Sequence, residues 1–240
     1  MQYVNYLRYA IIGGLALIPF LAFLIADGSF LPSMFFPFIT GKNFAFRFLI
    51  DILLVLYVIL AIKDPRYRPT SSWILFAVLG FVTWMGIATF TSVDPIKSFW
   101  SNFERMEGYI GLLHYVFLFI IAGAVLTVER WWDRFFQVSI SASMLMGFYA
   151  ILQLSGAIAI STQSGPRVDT TFGNATYLAV YMLFHVFLTL FMMVRIAKEG
   201  REEIRRSMPL LSFYGVALLL QLLTLFFTEP RGAALGLVGG

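Results

Sequence analysis

The sequence predicts an all-α integral membrane protein, a polytopic helical bundle with about seven complete spans and the start of an eighth. Of its 240 residues, 60% are hydrophobic and only 12% are charged, whereas about a quarter of the residues in a soluble domain are charged. The apolar runs are also long and continuous. A helix needs roughly 20 apolar residues to cross about 30 Å of hydrocarbon, where bare backbone groups cannot be satisfied. The sequence therefore predicts that most of the chain is surrounded by lipid.

Seven apolar runs lie between charged connections and predict the spans one by one. The first run is longer than the hydrophobic region of a typical signal peptide and has only Arg8 before it, which favours a retained span over a cleaved signal. The predicted spans cover residues 9-26, 47-62, 72-90, 109-127, 135-159, 174-194 and 209-227.

Basic residues divide unequally between the two sets of connections. One set, which includes the N-terminus, 63-70 and 195-208, holds eleven lysines and arginines, and the other, which includes 91-107 and 160-173, holds six. The positive-inside rule therefore predicts a cytoplasmic N-terminus and places the poorer set outside. Because the basic residues cluster in short loops between spans, we interpret the net charge of +4 as a determinant of topology. Nucleic-acid binding is not predicted.

Several kinds of chemistry find no support in the sequence. The chain has no cysteine and two histidines, so it offers no disulfide, no thiolate and no Cys-ligated metal. His114 and His185 fall in separate spans without a metal-binding spacing, and glycine-rich nucleotide loops are absent. We predict neither a metal nor a cofactor.

The outward connections carry the candidate substrate-binding residues. A guanidinium is always charged and can bind phosphate oxygens with two parallel hydrogen bonds, so converging arginines at a membrane surface would hold a lipid diphosphate. The alternative is that each arginine anchors a headgroup or pairs with a nearby carboxylate. The candidate arginines are Arg47, Arg105, Arg167 and Arg231.

Three further residues could take part in proton transfer. Glu104 and Glu107 lie three residues apart and would share one face of a helix, as an acid–base pair or as a salt-bridged interfacial turn. His114 lies about two turns below the outer end of the fourth span. An ionisable group in a span is a functional candidate, although a neutral imidazole can also simply bond a neighbouring helix.

The end of the chain predicts that more protein follows. After Arg231 only GAALGLVGG remains, which covers less than half of a bilayer core. We therefore expect residues 1-240 to form a single transmembrane domain, the N-terminal portion of a longer chain.

Four ordered outer motifs resemble the O-antigen ligase family and its relatives, the O-antigen polymerases and bacterial oligosaccharyltransferases. They are FPFITGKNFAFRFLID, SFWSNFERMEGYIGLLHY, RVDTTFGNATYLAVYMLF and TEPRGAALGLVGG, at the second, fourth, sixth and eighth spans. The resemblance implies a bacterial inner-membrane glycosyltransferase of lipopolysaccharide biosynthesis. Such enzymes pass a glycan from undecaprenyl diphosphate to an acceptor, commonly a lipid A core sugar, on the outer side of the membrane.

The resemblance also assigns roles to residues. Arg231 falls on the family's arginine before the glycine-rich helix and is expected to contact diphosphate, and Arg105 and Arg167 match outward motif positions. The family's histidine base belongs to an outer loop further along, so the catalytic residues are unassigned here and these 240 residues are expected to bind lipid without transferring sugar. A secondary transporter or lipid-linked sugar flippase is the alternative, in which His114 and His185 would line a central pathway. A structural membrane subunit is the third possibility.

Overall fold

The structure is a computed structural model that describes residues 2–28, 32–34, 36–102, 105–161, 164–198, 201–229 and 231–239. Within these ranges the regular structure is helical and contains no strand. The chain divides into two compact units, Met1–Trp132 and Asp133–Gly240. That residues 1-240 form a single transmembrane domain stays a prediction. The helices are α1 (Gln2–Leu17), α2 (Thr40–Lys63), α3 (Trp73–Phe90), α4 (Pro95–Trp100), α5 (Tyr109–Val125), α6 (Glu129–Leu154), α7 (Ala175–Lys198), α8 (Arg201–Arg206), α9 (Met208–Thr228) and α10 (Arg231–Gly239).

The helix lengths confirm the predicted all-α membrane architecture. In the described part of the chain, six helices are long and apolar enough to span a bilayer: α1 with the 3₁₀ turn that follows it, α2, α3, α6, α7 and α9. Helix α5 has 17 residues, the lower limit for a span. The lipid environment follows from these helices, and the orientation of the N-terminus stays a prediction.

Four predicted span boundaries differ from the helix ends by several residues. The first helix begins at Gln2, seven residues before the predicted start. The prediction followed the apolar run alone, and the more polar residues before that run belong to the same helix. The second span was predicted to begin at residue 47, but α2 begins at Thr40, and the fifth was predicted to begin at residue 135, but α6 begins at Glu129. The fifth span was predicted to continue to residue 159, but α6 ends at Leu154. Gly156 there adopts φ +78°, a left-handed conformation that commonly ends a helix.

One end of the first unit is assembled around Arg8. Its guanidinium lies 5.7 Å from the Tyr67 ring centroid and 5.8 Å from that of Trp131. The Tyr57 hydroxyl donates to the Tyr67 carbonyl at 3.1 Å. These contacts bring the N-terminal helix, the connection after α2 and the start of α6 to one end of the unit, as the alternating topology requires.

The connection at this end is stabilised locally by Asp64. Its carboxylate accepts from the Arg66 backbone N–H and from the guanidinium, with Nη2 at 2.7 Å. The hydrogen bond from the Arg66 side chain lowers the pKa of the Asp64 carboxyl. The charged turn thus fixes the geometry between α2 and α3 at the end predicted to be cytoplasmic.

At the opposite end of the same unit, a short helix connects α3 to α5. Asp94 caps α4 by accepting from the Lys97 backbone N–H at 3.0 Å, and the helix stops where Ser101 adopts φ +66°. Gly108 then passes so close to the backbone of Phe99 and Ser101 that an added Cβ would collide with both. This close approach sets the position at which the chain enters α5.

The second unit is built on close helix packing and a buried polar layer. An added Cβ on Gly147 of α6 would lie 3.1 Å from the Leu220 Cβ of α9. Nearby, Gln221 of α9 donates to the Ser143 hydroxyl of α6 at 2.8 Å and exchanges hydrogen bonds with Thr189 of α7. Small residues and interhelical hydrogen bonds are the usual means by which helices associate in lipid. The layer therefore fixes the register of three helices.

Candidate functional site

A cavity of about 770 Å³ lies in the first unit, at the end where α2 and α5 begin and α3 stops. Its volume is in the range of small-molecule sites. Apolar side chains of α3 and α5 form much of the wall, and polar groups come from α2, from α4 and from the connection before α5. The lining includes Asn43, Phe46, Arg47, Phe81, Met85, Thr89, Lys97, Ser98, Ser101, Glu107, Tyr109, Gly111, Leu112 and Tyr115.

Arg47 is the buried cation of this cavity. It lies about two turns inside α2, and the residue is only 8% exposed. Nε donates to the Asn43 carbonyl in a long hydrogen bond of 3.3 Å, whereas Nη2 is buried and has no hydrogen-bond partner. The guanidinium also lies 4.9 Å from the Phe44 ring centroid, and Asp51, one turn further along α2, attracts it electrostatically. Arg47 thus keeps hydrogen-bonding capacity that the protein does not use.

Asn43 joins two of the sequence motifs at this cavity. Its side-chain amide donates to the Arg105 carbonyl at 3.0 Å and to Glu107 Oε1 at 3.1 Å. The two bonds hold the connection before α5 against the first turn of α2. Sequence analysis missed Asn43, although its i, i+4 spacing to Arg47 places both on one helix face.

The structure thus brings two of the predicted site residues, Arg47 and Glu107, to a single cavity. Glu107 is exposed at the rim, and its carboxylate is the group that Asn43 holds. Arg105 is exposed and contributes its carbonyl to the contact with Asn43, but its side chain is not part of the cavity lining. The proposed partner of Glu107, Glu104, lies outside the described residues.

His114 lies beneath the cavity wall, paired with α2. Its Nε2 is 3.2 Å from Asp51 Oδ1, and its Nδ1 is 2.7 Å from the Ile110 carbonyl. A ring nitrogen must carry hydrogen to bond a carbonyl, so Nδ1 donates. The imidazole is buried, whereas the Asp51 side chain is 62% exposed. His114 itself does not line the cavity.

His185, in the second unit, has ordinary helix–helix contacts. Its Nδ1 is 2.8 Å from the Tyr181 carbonyl, and its Nε2 is 3.0 Å from the Ser139 hydroxyl of α6. Both ring nitrogens are engaged, which matches the interpretation that the imidazole bonds a neighbouring helix.

The connection between α6 and α7 is held by a buried amide–carboxylate contact. Gln153 Nε2 donates to Asp169 Oδ1 and to the Ala159 carbonyl, both at 3.0 Å, and its Oε1 accepts from the backbone N–H groups of Asp169 and Thr170. The Ser161 N–H donates to Asp169 Oδ2 at 3.2 Å. We name this contact the Gln153–Asp169 clasp. Gln153, in the last turn of α6, therefore bonds the loop that follows this helix.

The other two candidate arginines belong to the second unit. Arg167 is partly buried, and its Nε donates to the Ser164 carbonyl at 3.3 Å. Arg231 is the first residue of α10, and its side chain lies outside the described part. The convergence of Arg105, Arg167 and Arg231 on one outward diphosphate site stays a prediction. Among the described residues there is no cluster of three or more histidine or acidic side chains that could hold a metal ion.

Comparisons with protein-family models, with curated proteins and with solved structures found no match for this chain.

Proposed function

We propose that this protein is a membrane glycan ligase or polymerase that takes a glycan from undecaprenyl diphosphate and passes it to an acceptor such as lipid A core, on the outer side of the bacterial inner membrane. The main support is that Asn43 joins the motifs ITGKNFAFR and FERMEGY around one cavity. These motifs lie far apart in the sequence and were both singled out by the resemblance to O-antigen ligases.

The reaction needs the two kinds of group that this cavity offers. The acceptor hydroxyl oxygen attacks the anomeric carbon, a glycosidic bond forms, the bond from that carbon to the diphosphate oxygen breaks, and undecaprenyl diphosphate leaves. Cations stabilise the negative charge that develops on the leaving group, and in this proposal Arg47 takes that role. The hydroxyl proton passes to a base. Glu107 is the carboxylate at this cavity, whereas the resemblance assigns the base to a histidine of an outer loop, so the catalytic base stays unassigned.

The transporter alternative has less support. A transporter would use ionisable groups in a pathway near the midplane. His185, however, is fully engaged with Ser139 and Tyr181, and the cavity lies at one end of its unit.

The proposal is tested by binding of a lipid-linked glycan to the purified chain in nanodiscs. We expect radiolabelled undecaprenyl diphosphate glycan to bind saturably and to be displaced by undecaprenyl diphosphate, but not by undecaprenol, which lacks the phosphates. Equal displacement by both lipids, or no saturable binding, would refute the proposal. Asn43→Ala should weaken binding because it frees the Glu107 connection, whereas Asn5→Ala, a change of the same residue type in α1, should leave binding unchanged.

A further inference from the structure

The polarity of the cavity walls changes along their length. Phe81 and Met85 of α3 form an apolar side and are themselves among the exposed apolar side chains of that helix. Arg47 lies at the inner wall, and Lys97 of α4 is exposed at the rim. A molecule that fills this space would have an apolar part along α3 and an anionic part between the two cations.

A second, smaller hollow adjoins the rim. It has a volume of about 300 Å³ and shares Lys97, Ser98 and Ser101 with the main cavity. Its remaining lining residues are Asp94 and Asn102, so every residue around it is polar. Hydroxyl, amide and carboxylate groups of this kind are suited to hydrogen-bonding the hydroxyls of a sugar.

Arg47 is the feature that most directly indicates a ligand. Burying a guanidinium N–H without a partner is unfavourable, and the attraction of Asp51 does not provide the missing hydrogen bond to Nη2. A phosphate group offers several oxygens and matches the planar fork of arginine. Carboxylate ligands would also satisfy Arg47, but a diphosphate carries enough charge to engage Lys97 as well.

We propose that the unit 1 cavity binds the phosphate-bearing head of an amphipathic lipid, with Arg47 as the buried phosphate ligand, Lys97 at the rim, the lipid chain leaving along Phe81 and Met85, and the first sugar in the polar hollow. The identification of this lipid as a polyprenyl diphosphate rests on the proposed function. The shared chemistry, a phosphate on a lipid, also occurs in phospholipid headgroups.

Two substitutions test the site by independent means. Arg47→Gln removes the positive charge and the planar guanidinium group that can donate two parallel hydrogen bonds to a phosphate. Gly111→Leu fills the cavity with an apolar side chain and leaves every charge in place. The backbone can accept this side chain because an added Cβ at Gly111 meets nothing within 4 Å. The matched controls are Gly123→Leu, at an equally open glycine outside the cavity in the same helix, and Arg68→Gln, at an exposed arginine after α2.

Binding of radiolabelled undecaprenyl diphosphate is measured in nanodiscs for all four variants, with phosphatidylglycerol and inorganic pyrophosphate as competitors. We expect Arg47→Gln to weaken binding about 10- to 100-fold, as loss of a charge-assisted hydrogen-bonding group does. We expect Gly111→Leu to weaken it at least about tenfold, and both controls to stay within about twofold. Pyrophosphate alone should compete poorly, because it lacks the chain that lies along α3.

The outcomes separate the two proposals. If the wild-type chain binds undecaprenyl diphosphate but Gly111→Leu and Arg47→Gln bind it equally well, the cavity assignment is wrong and the proposed function stands. If the wild-type chain binds phosphatidylglycerol in preference, and Gly111→Leu abolishes that binding, the lipid-phosphate site stands and the proposed function fails. Equally strong competition by free pyrophosphate would overturn the assignment of a lipid ligand.

Discussion

The Gln153–Asp169 clasp gives the sharpest prediction about stability. Gln153→Ala removes four hydrogen bonds, two donated by Nε2 and two accepted by Oε1. Each typically contributes about 0.5–1.5 kcal/mol net, and the bond from the Asp169 N–H is long at 3.3 Å. Asp169 is 0% exposed, so its carboxylate would also lose a donor without gaining solvent. We expect the free energy of opening this loop to fall by about 3 kcal/mol.

The assay is amide hydrogen exchange of the Thr170 region in detergent, read by mass spectrometry. A loss of about 3 kcal/mol corresponds to roughly 100-fold faster exchange where opening limits it. Gln153→Glu should be worse than Gln153→Ala, because it replaces the Nε2 donor by an oxygen facing the buried Asp169 carboxylate. Ser155→Ala is the control, since the Ser155 hydroxyl donates to the Leu152 carbonyl in the last turn of α6. Unchanged protection in Gln153→Ala would show that the clasp does not hold the loop.

Three further predictions concern the second unit. Gly147→Leu should destabilise the chain by about 1–3 kcal/mol through overpacking against α9, seen as a lower thermal midpoint in detergent. Gly215→Leu is the control and should leave the midpoint unchanged, because an added Cβ there meets nothing within 4 Å. Gln221→Leu should lower the free energy of unfolding in an SDS titration by only about 1 kcal/mol, because the two hydroxyls can bond carbonyls of their own helices; a loss above about 3 kcal/mol would contradict this. Pro166→Cys and Glu202→Cys each introduce one cysteine at an exposed position of the cysteine-free chain. The two cysteines should react with an impermeant maleimide from opposite sides of the membrane, and labelling of both from the same side would refute the predicted topology.

The helices were predictable because their signal is local. Apolar runs of membrane length fix the existence of a span, and the ends of α7 and α9 lie within a few residues of the predicted ones. The end of α6 was predicted too late because it depends on the left-handed conformation of Gly156. The apolar residues after Gly156 continue the hydropathy pattern of the span, so the pattern alone does not show where the helix ends. Arg47 and Glu107 were identified because charged groups beside spans are chemically conspicuous.

The partners of these residues were not predictable because they arise from tertiary packing. The Asn43–Glu107 bond joins residues 64 positions apart, and the His114–Asp51 contact joins residues 63 apart. No pattern within one helix specifies which face meets which neighbour. The sequence therefore indicated which groups carry charge, and the packing of α2 against α5 decided which of them meet.

The cavity draws all its walls from one contiguous stretch of chain, between Asn43 and Tyr115, within the first compact unit. This has a consequence for synthesis. A chain grows at about 5–20 residues per second during synthesis, and its domains fold in order from the N-terminus. Once α5 has left the ribosome and entered the membrane, every group that lines the cavity is already present, while residues 133–240 are still being made. The complete set of cavity-lining residues is therefore present several seconds before the last helices exist, so a ligand of this cavity can bind before synthesis ends.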